Sequence, residues 1–339
     1  MLTDESRILL QAEGWAREGR GAALATVVET FGSAPRPLGS HLVVDESGAF
    51  FGSVSGGCVE ADVVIAALDA IESGAPRLLK FGVADETAWR AGLPCGGVIS
   101  VHIEKLGPAH ADLLAAMREE HGSRRACLLA TALDGGAPTF LRRDSGGPPA
   151  LLESLARGGS GIVEIEGERI FAYVHRPPTR LVIVGAVHVG QALAPMGRLA
   201  GFDVAIIDPR AAFAAPERFP GMTLIASWPE EALPMLGLDR FTAVAALSHN
   251  PRIDDAALRV ALASECFYVG ALGSVASHAR RMERLAAQGV DARALGRLHA
   301  PIGLDIGALS PAEIAVAIMA EIVMAQQRKP LRAEAQTRG

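Results

Sequence analysis

The spacing of apolar and polar positions changes near the middle of the chain, and this change predicts two architectures. Up to residue 176, amphipathic helices alternate with strands and glycine-rich turns. From Arg180 onward, short and almost uninterrupted apolar runs alternate with helical periodicity, which is typical of parallel strands buried on both faces. We therefore predict an α/β fold: an N-terminal α/β domain, followed by a Rossmann-like domain with a doubly wound parallel sheet.

The first domain is expected at 1–176, with a core at 1–106 and a hairpin-rich part at 107–176. The Rossmann-like domain is expected at 179–330, after a Pro177-Pro178 linker, with a tail at 331–339. The pattern predicts helices at 4–17, 58–72, 112–121, 190–200, 254–264 and 274–288, and strands at 22–29, 41–45, 49–51, 77–81, 98–104, 126–132, 161–165, 169–174, 181–184, 204–207, 223–226, 243–247 and 267–269. A last helix begins with the capping box Ser310-Pro311-Ala312-Glu313, and Glu321 interrupts its apolar character.

Composition narrows the classes of function. The 339 residues carry a net charge of −6 and only 5% aromatic residues, so we expect no nucleic-acid surface. The first residues, 1–7, are polar, and no apolar run reaches the roughly 18 residues of a membrane span, so we expect a cytoplasmic protein without a membrane anchor. Four cysteines form no C-x-x-C pair, and Cys127 and Cys266 fit core positions.

Three loops of the first domain combine anion-binding and thiol chemistry. They span 32–40, 53–60 and 93–97. Glycine-loop amides and a helix N-terminus favour phosphate, whereas thiols favour soft metals or sulfur chemistry. The candidate ligands are Arg36, Ser53, Ser55, Gly56, Gly57, Cys58, Glu60, Cys95, Gly96 and Gly97, with Cys58 and Cys95 as candidate metal ligands. The alternative is ordinary glycine turns with two buried cysteines and a surface arginine.

The second domain carries a glycine turn, Gly185–Gly190, directly after an apolar strand, and Asp208 follows about 20 residues later. Val187 occupies the position where a dinucleotide-binding loop has its second glycine, which argues against NAD(P). Further polar residues follow the strands of this domain, where open α/β sheets place ligands. These candidates are His188, His249, Ser274, His299 and Asp305; the alternative is turn or cap residues. The charged run Arg280–Arg284 fits a solvated helix face.

Several of these segments together resemble the XdhC/CoxI family over nearly the whole chain. The similar segments are Ser33–Ser40, Gly52–Glu60, Cys95–Gly97, Tyr268–Ser274 and Leu298–Gly307. The resemblance implies an accessory factor, rather than an enzyme, that binds the molybdenum cofactor in its molybdopterin form. Such a factor protects the cofactor while a cysteine desulfurase supplies sulfur, and then delivers it to a molybdenum hydroxylase apoenzyme such as xanthine dehydrogenase. A homodimer is also expected.

Two departures concern the second domain. The family loop Gly-x-Gly-His here contains Val187, and the family's His-Asp-Pro is here His249-Asn250-Pro251. Both argue against a nucleotide or acid–base role for this domain. Two alternative functions are kept: an NAD(P)-dependent oxidoreductase that uses the Rossmann domain, and a protein–protein adaptor without a small ligand.

Overall fold

The computed structural model describes residues 4–82 and 97–327. The chain divides into two compact units, the first ending at Pro177 and the second beginning at Pro178.

The first unit contains two antiparallel sheets with helices packed on them. Its elements are α1 (Asp4–Arg17), β1 (Ala22–Phe31), β2 (His41–Asp45), β3 (Phe50–Gly52), α2 (Glu60–Ser73), β4 (Arg77–Phe81), β5 (Val98–Lys105), α3 (Pro108–Gly122), β6 (Cys127–Ala132), β7 (Thr139–Arg142), α4 (Pro149–Arg157), β8 (Gly161–Ile165) and β9 (Glu168–His175). The larger sheet has the order β3-β2-β1-β5-β4, and the smaller has the order β7-β6-β9-β8.

Strand alternation decides which helix covers each face of the larger sheet. Ala23, Ala25 and Val27 of β1 pack with the buried face of α2. The residues between them, such as Leu24, face α1, α3 and the smaller sheet. Because side chains of a strand alternate between its two faces, β1 can be buried on both sides only if both layers are present.

Strand register brings the loops predicted to be functional to one end of this sheet. Phe31, the last residue of β1, pairs with Val98, the first residue of β5. Leu42 in β2 pairs with Gly52 at the end of β3. Loops 32–40 and 53–59 and residue 97 therefore all lie at the same end, which we call the motif edge.

The second unit is a Rossmann domain. Its elements are β10 (Arg180–Val184), α5 (His188–Leu199), β11 (Asp203–Ile207), β12 (Thr223–Ile225), α6 (Pro229–Leu236), β13 (Thr242–Ala246), α7 (Pro251–Leu262), β14 (Tyr268–Ala271), α8 (Val275–Ala287), α9 (Ala292–Leu295), β15 (Leu298–His299) and α10 (Pro311–Gln327). All strand pairs in its six-stranded sheet are parallel, in the order β12-β11-β10-β13-β14-β15.

Helices cover both faces of this sheet, which confirms the doubly wound prediction. α5 and α10 pack on one face, and α6, α7 and α8 pack on the other. The strand order reverses between β10 and β13, and open α/β sheets bind ligands at such a switch point. Here Gly185, with φ of 104°, lies so close to the next loop that a Cβ would stand 2.6 Å from the Ser248 backbone nitrogen.

Some elements differ from the sequence prediction. The pattern missed β7, α9, β15 and the helices α4 and α6, each of which starts at a proline. Proline at the first helical position is compatible with a helix because the missing N–H would have no partner there. The predicted capping box is confirmed, since Glu313 accepts from the Ser310 N–H at 2.9 Å. Within the described ranges, no helix is long and apolar enough to cross a membrane.

Candidate functional site

The glycine loop before α2 is closed around a carboxylate of the chain itself. Oε1 of Glu60 accepts from the Ser53 hydroxyl at 2.6 Å and from the Ser55 N–H at 2.9 Å. Oε2 accepts from the Ser55 hydroxyl at 2.5 Å and from the Gly57 N–H at 2.9 Å. The N–H groups of Val54 and Val59 also point to this carboxylate, each at 3.2 Å. Glu60 therefore occupies the anion cradle that the sequence pattern predicts.

Electrostatics agree with this geometry. Burial alone would raise the pKa of Glu60, but hydrogen bonds from the two serine hydroxyls and from backbone N–H groups lower it to about 2. The remaining amides of the loop are also satisfied, because Gly56 donates to the Ser53 hydroxyl and Cys58 donates to the Ser55 hydroxyl. The loop holds its own shape and offers no free amide to a ligand.

The neighbouring loop 32–40 is different, because several of its donors have no partner among the described residues. These are the backbone N–H groups of Ser33, Arg36 and Leu38 and the guanidinium of Arg36. The Nε atom of Arg36 is buried yet makes no hydrogen bond to the described part of the chain. Ala34 and Leu38 pack against the core beside α2, which fixes the loop at the motif edge. This is the arrangement expected of an anion-binding loop.

The end of the third motif packs directly on this loop. A Cβ on the buried Gly97 would lie 2.6 Å from the Ser33 carbonyl oxygen and 3.1 Å from the Ala34 nitrogen. Cys95 and Gly96 lie outside the described residues. Only glycine allows the two backbones to approach so closely.

Cys58 is exposed on the glycine loop, between Gly57 and Val59. Gly56 and Gly57 have positive φ values of 79° and 114°, so the chain turns sharply just before the thiol. In the ranges 4–82 and 97–327, no group of three or more histidine, cysteine or acidic side chains is arranged to hold a metal ion. By contrast, Cys127 and Cys266 are buried as predicted, and burial raises their thiol pKa values to about 12 and about 11.

In the second unit, His188 and His249 flank the switch point. His188 is the exposed first residue of α5. His249 is exposed and has φ of 60°, a left-handed conformation that is costly for a residue other than glycine. Ser274 is the N-cap of α8, where its hydroxyl accepts from the Ser277 N–H at 3.2 Å. Asp305 is exposed in the loop before α10.

Asp208, at the position of a ribose-binding carboxylate, is already engaged within the protein. It is fully buried, and it accepts from the Ala186 N–H at 2.8 Å and from two guanidinium nitrogens of Arg210 at 2.7 and 2.8 Å. Burial alone would raise the pKa of Asp208, but these hydrogen bonds lower it overall. Together with Val187, this pairing leaves little for a dinucleotide to bind.

His299, the last residue of β15, contacts a residue that sequence reasoning did not assign to the site. Its Nδ1 atom lies 2.8 Å from Oε1 of Glu321 on α10. The signal was present, because Glu321 interrupts an apolar helix. Another expectation was wrong: Arg281 does not lie on a solvated face but is only 5% exposed, within 4 Å of Asp254 and Asp255.

Comparisons with known proteins agree with these features. A family model described as the XdhC Rossmann domain matches residues 181–322, and one described as the XdhC and CoxI family matches residues 15–82. Molybdenum cofactor insertion chaperone PaoD of Escherichia coli is 31% identical over 324 residues, which cover 95% of this chain and 89% of PaoD. The chain belongs to the XdhC/CoxI family.

Two further similarities extend over most of the chain. A Bacillus subtilis protein, named as a probable subunit of xanthine dehydrogenase, is 29% identical over 91% of this chain and 94% of its own length. A crystal structure described as a xanthine dehydrogenase from Bacillus halodurans has a TM-score of 0.72 and covers 97% of both chains. At 24% identity, this structure supports the fold of this XdhC/CoxI member and no more.

Replacement of Glu60 with glutamine tests the loop network. We expect Glu60→Gln to lower the free energy of unfolding by about 3 kcal/mol at pH 7, because a carboxyl whose pKa is depressed on folding stabilises the fold above its unfolded pKa. The loss should shrink as the pH falls from about 5 towards 2, where Glu60 becomes protonated. Urea unfolding at several pH values measures this, with Glu72→Gln on the exposed part of α2 as the control. A loss independent of pH would contradict it.

Gly97→Ala tests the contact between the first and third motifs. The added methyl group would collide with the Ser33 carbonyl, so we expect a loss of about 1–3 kcal/mol in stability. Gly122→Ala is the matched control, since a Cβ there meets nothing within 4 Å. Equal urea midpoints for both variants would show that the contact can relax freely.

NADH titration tests the alternative oxidoreductase function. We expect no binding to the wild-type protein at millimolar NADH, because Asp208 is held by Arg210 and Ala186. Val187→Gly should not create binding, since it leaves this pairing intact. Fluorescence of bound NADH is the measurement, and saturable binding by either protein would contradict the assignment.

Proposed function

We propose that this chain is a molybdenum cofactor insertion chaperone that serves a molybdenum hydroxylase of the xanthine dehydrogenase type. The observation that carries the proposal is the motif edge, where donors of loop 32–40 have no partner within residues 4–82 and 97–327 and the exposed thiol-bearing loop lies at the same end of the sheet. The name of the relative PaoD gives the cargo class, and the name of the Bacillus subtilis relative gives the class of receiving enzyme.

The donor set fits a phosphorylated cargo. The Arg36 guanidinium can grip a phosphate through two parallel N–H groups, and the nearby N–H groups of Ser33 and Leu38 can donate to further phosphate oxygens. Because Glu60 saturates the glycine loop, that loop supplies shape rather than phosphate contacts. Ser53, Ser55, Gly56 and Gly57 form the hydrogen-bonded loop around Glu60, and Ser55 accepts from the N–H of the exposed Cys58.

Cys58 is the residue we assign to the metal–sulfur end of the cargo. A thiol is a soft ligand and suits a metal that also carries sulfur. Cys95, whose motif ends at Gly97 on the same edge, is proposed as a second thiol. The cargo is the molybdopterin form of the cofactor, which the chain protects while a cysteine desulfurase supplies sulfur. A homodimer that delivers the cofactor to the apoenzyme completes the proposal.

The cofactor content of the purified protein tests this function. The wild-type chain, purified from cells that make molybdenum cofactor, should contain molybdenum and should release a pterin that fluoresces after oxidation. Arg36→Ala should retain about a tenth or less, since loss of a charge-assisted hydrogen bond costs about 1.5–3 kcal/mol. Arg36→Lys should fall between the two, because lysine keeps the charge but lacks the planar fork. Cys58→Ala should also lower the content.

Arg157→Ala is the matched control for these variants, because Arg157 is an exposed arginine on α4, a helix that packs on the smaller sheet, and its ion pair with Glu153 is 3.7 Å long. Its cofactor content should equal that of the wild type. Equal content in Arg36→Ala, Cys58→Ala and Arg157→Ala would remove the site assignment. A cofactor-free wild-type protein that still activates the apoenzyme would instead favour an adaptor.

A further inference from the structure

In the Rossmann unit, three donors converge on one carboxylate of α10. Glu321 accepts from the Tyr268 hydroxyl at 2.5 Å and from the Gly303 N–H at 2.7 Å, both through Oε2. Its other oxygen, Oε1, lies 2.8 Å from Nδ1 of His299. A carboxylate can only accept hydrogen bonds, so Nδ1 carries a proton, and this tautomer of the imidazole leaves its lone pair on Nε2.

The charge state of Glu321 supports this assignment. Burial alone would raise the pKa of Glu321, but hydrogen bonds from His299, Tyr268 and Gly303 lower it overall, so the group stays ionised at neutral pH. Burial raises the pKa of Tyr268, and the hydrogen bond to Glu321 raises it further, so this hydroxyl keeps its proton. The direction of each hydrogen bond in the cluster is therefore fixed.

The imidazole is also fixed in orientation. Its ring stacks on that of Tyr268, with centroids 4.6 Å apart and planes inclined by 30°. Gly270, which pairs with His299 in the sheet, leaves the necessary space: a Cβ there would stand 2.7 Å from the Tyr268 hydroxyl oxygen. A stacked ring with one bonded nitrogen has little freedom to turn.

The other nitrogen belongs to a side chain that is partly open to solvent. His299 ends β15 at the carboxyl edge of the parallel sheet, the edge at which open α/β folds bind ligands. Its side chain is 37% exposed, and Nε2 has no hydrogen-bond partner in the described part of the chain. A buried network thus holds one acceptor in a defined position at the ligand-binding edge.

We propose that His299 is a ligand-binding residue of the Rossmann unit, that Glu321 is a positioning residue that keeps Nε2 as a hydrogen-bond acceptor, and that the ring of Tyr268 orients the imidazole. The ligand class is a heterocycle with a lactam ring N–H, the acidic donor that pterins and guanine share and that adenine lacks. The choice of this heterocycle rests on the proposed function, because its cargo contains a pterin. The assigned tautomer does not depend on that function.

Glu321→Gln reverses the predicted tautomer. The amide oxygen of glutamine should keep the two donors Tyr268 and Gly303, which places its NH2 group opposite Nδ1 of His299. Nδ1 must then accept, and the proton moves to Nε2. Long-range 1H–15N spectra of the full chain, labelled in its nine histidines, distinguish the two tautomers. Loss of signals in His299→Gln assigns the residue.

We expect the Nδ1–H tautomer in the wild type and in Tyr268→Phe, which keeps the stacked ring, and the Nε2–H tautomer in Glu321→Gln. An Nε2–H tautomer in the wild type or in Tyr268→Phe, or a tautomer unchanged in Glu321→Gln, would overturn the positioning role of Glu321. A thermal melt of each variant shows whether the unit is folded. If Glu321→Gln unfolds, the wild type and Tyr268→Phe decide the question.

Ligand titrations then test the binding role. Neopterin or guanosine should shift the His299 Nε2 signal of the wild type, and adenosine should not. Glu321→Gln should bind the same ligands at least about tenfold more weakly, because Nε2 changes from an acceptor to a donor. A shift with neopterin alone identifies a pterin, and a shift with guanosine alone identifies a guanine base. If neither ligand shifts the signal, the proposed ligand class is wrong. Failure of the proposed function is a different result, because it appears in the cofactor-content measurement as a wild-type protein without cofactor.

Discussion

An ionised carboxylate can be buried only if protein donors replace the hydrogen bonds that it makes with water. Glu60 meets this requirement because the glycine loop surrounds it with donors. Two serine hydroxyls and the N–H groups of four residues converge on its two oxygens. The position of the exposed Cys58 thiol follows, since its own N–H donates to Ser55, one of those serines. The geometry of the motif edge therefore depends on a charge that is part of the chain.

In the second unit, too, internal carboxylates accept hydrogen bonds from loop backbones. Asp208 accepts from the Ala186 N–H, Asp254 accepts from the Ser248 N–H, and Glu321 accepts from the Gly303 N–H. In each case an internal carboxylate takes a backbone donor of a loop that the sequence pattern assigns to a ligand. Glycine-rich loops are thus an ambiguous sign of anion binding, because the anion can be internal. Loop 32–40 differs in that its free donors have no such carboxylate among the described residues.

This ambiguity limits how much of the site could be predicted from the sequence, whereas the fold was easier to predict. The Rossmann topology was predictable, because uninterrupted apolar strands such as Leu181–Val184 require cover on both faces. The common edge for Arg36, Cys58 and Gly97 depends on strand register: the hairpin of β2 and β3 was predictable from its turn, but the pairing of β1 with β5 joins strands far apart in the chain. The partners of Glu60 and the burial of Arg281 were not predictable, since both depend on which polar groups meet in three dimensions. Glu321 was an intermediate case: its place in an apolar helix is visible, but its partner His299 is 22 residues away.

Net charge adds a last constraint on the proposed cargo site. A chain with a net charge of −6 repels an anionic ligand at long range, so binding must come from local donors. If the glycine loop also offered free amides, its several hydrogen bonds would be added to those of loop 32–40, and release would be slow. With Glu60 in that loop, the proposed phosphate contacts are limited to one guanidinium and a few N–H groups of loop 32–40. Most differences in affinity are differences in the rate of dissociation, so fewer contacts mean faster release. Faster release would suit a carrier that must pass its cargo to another protein.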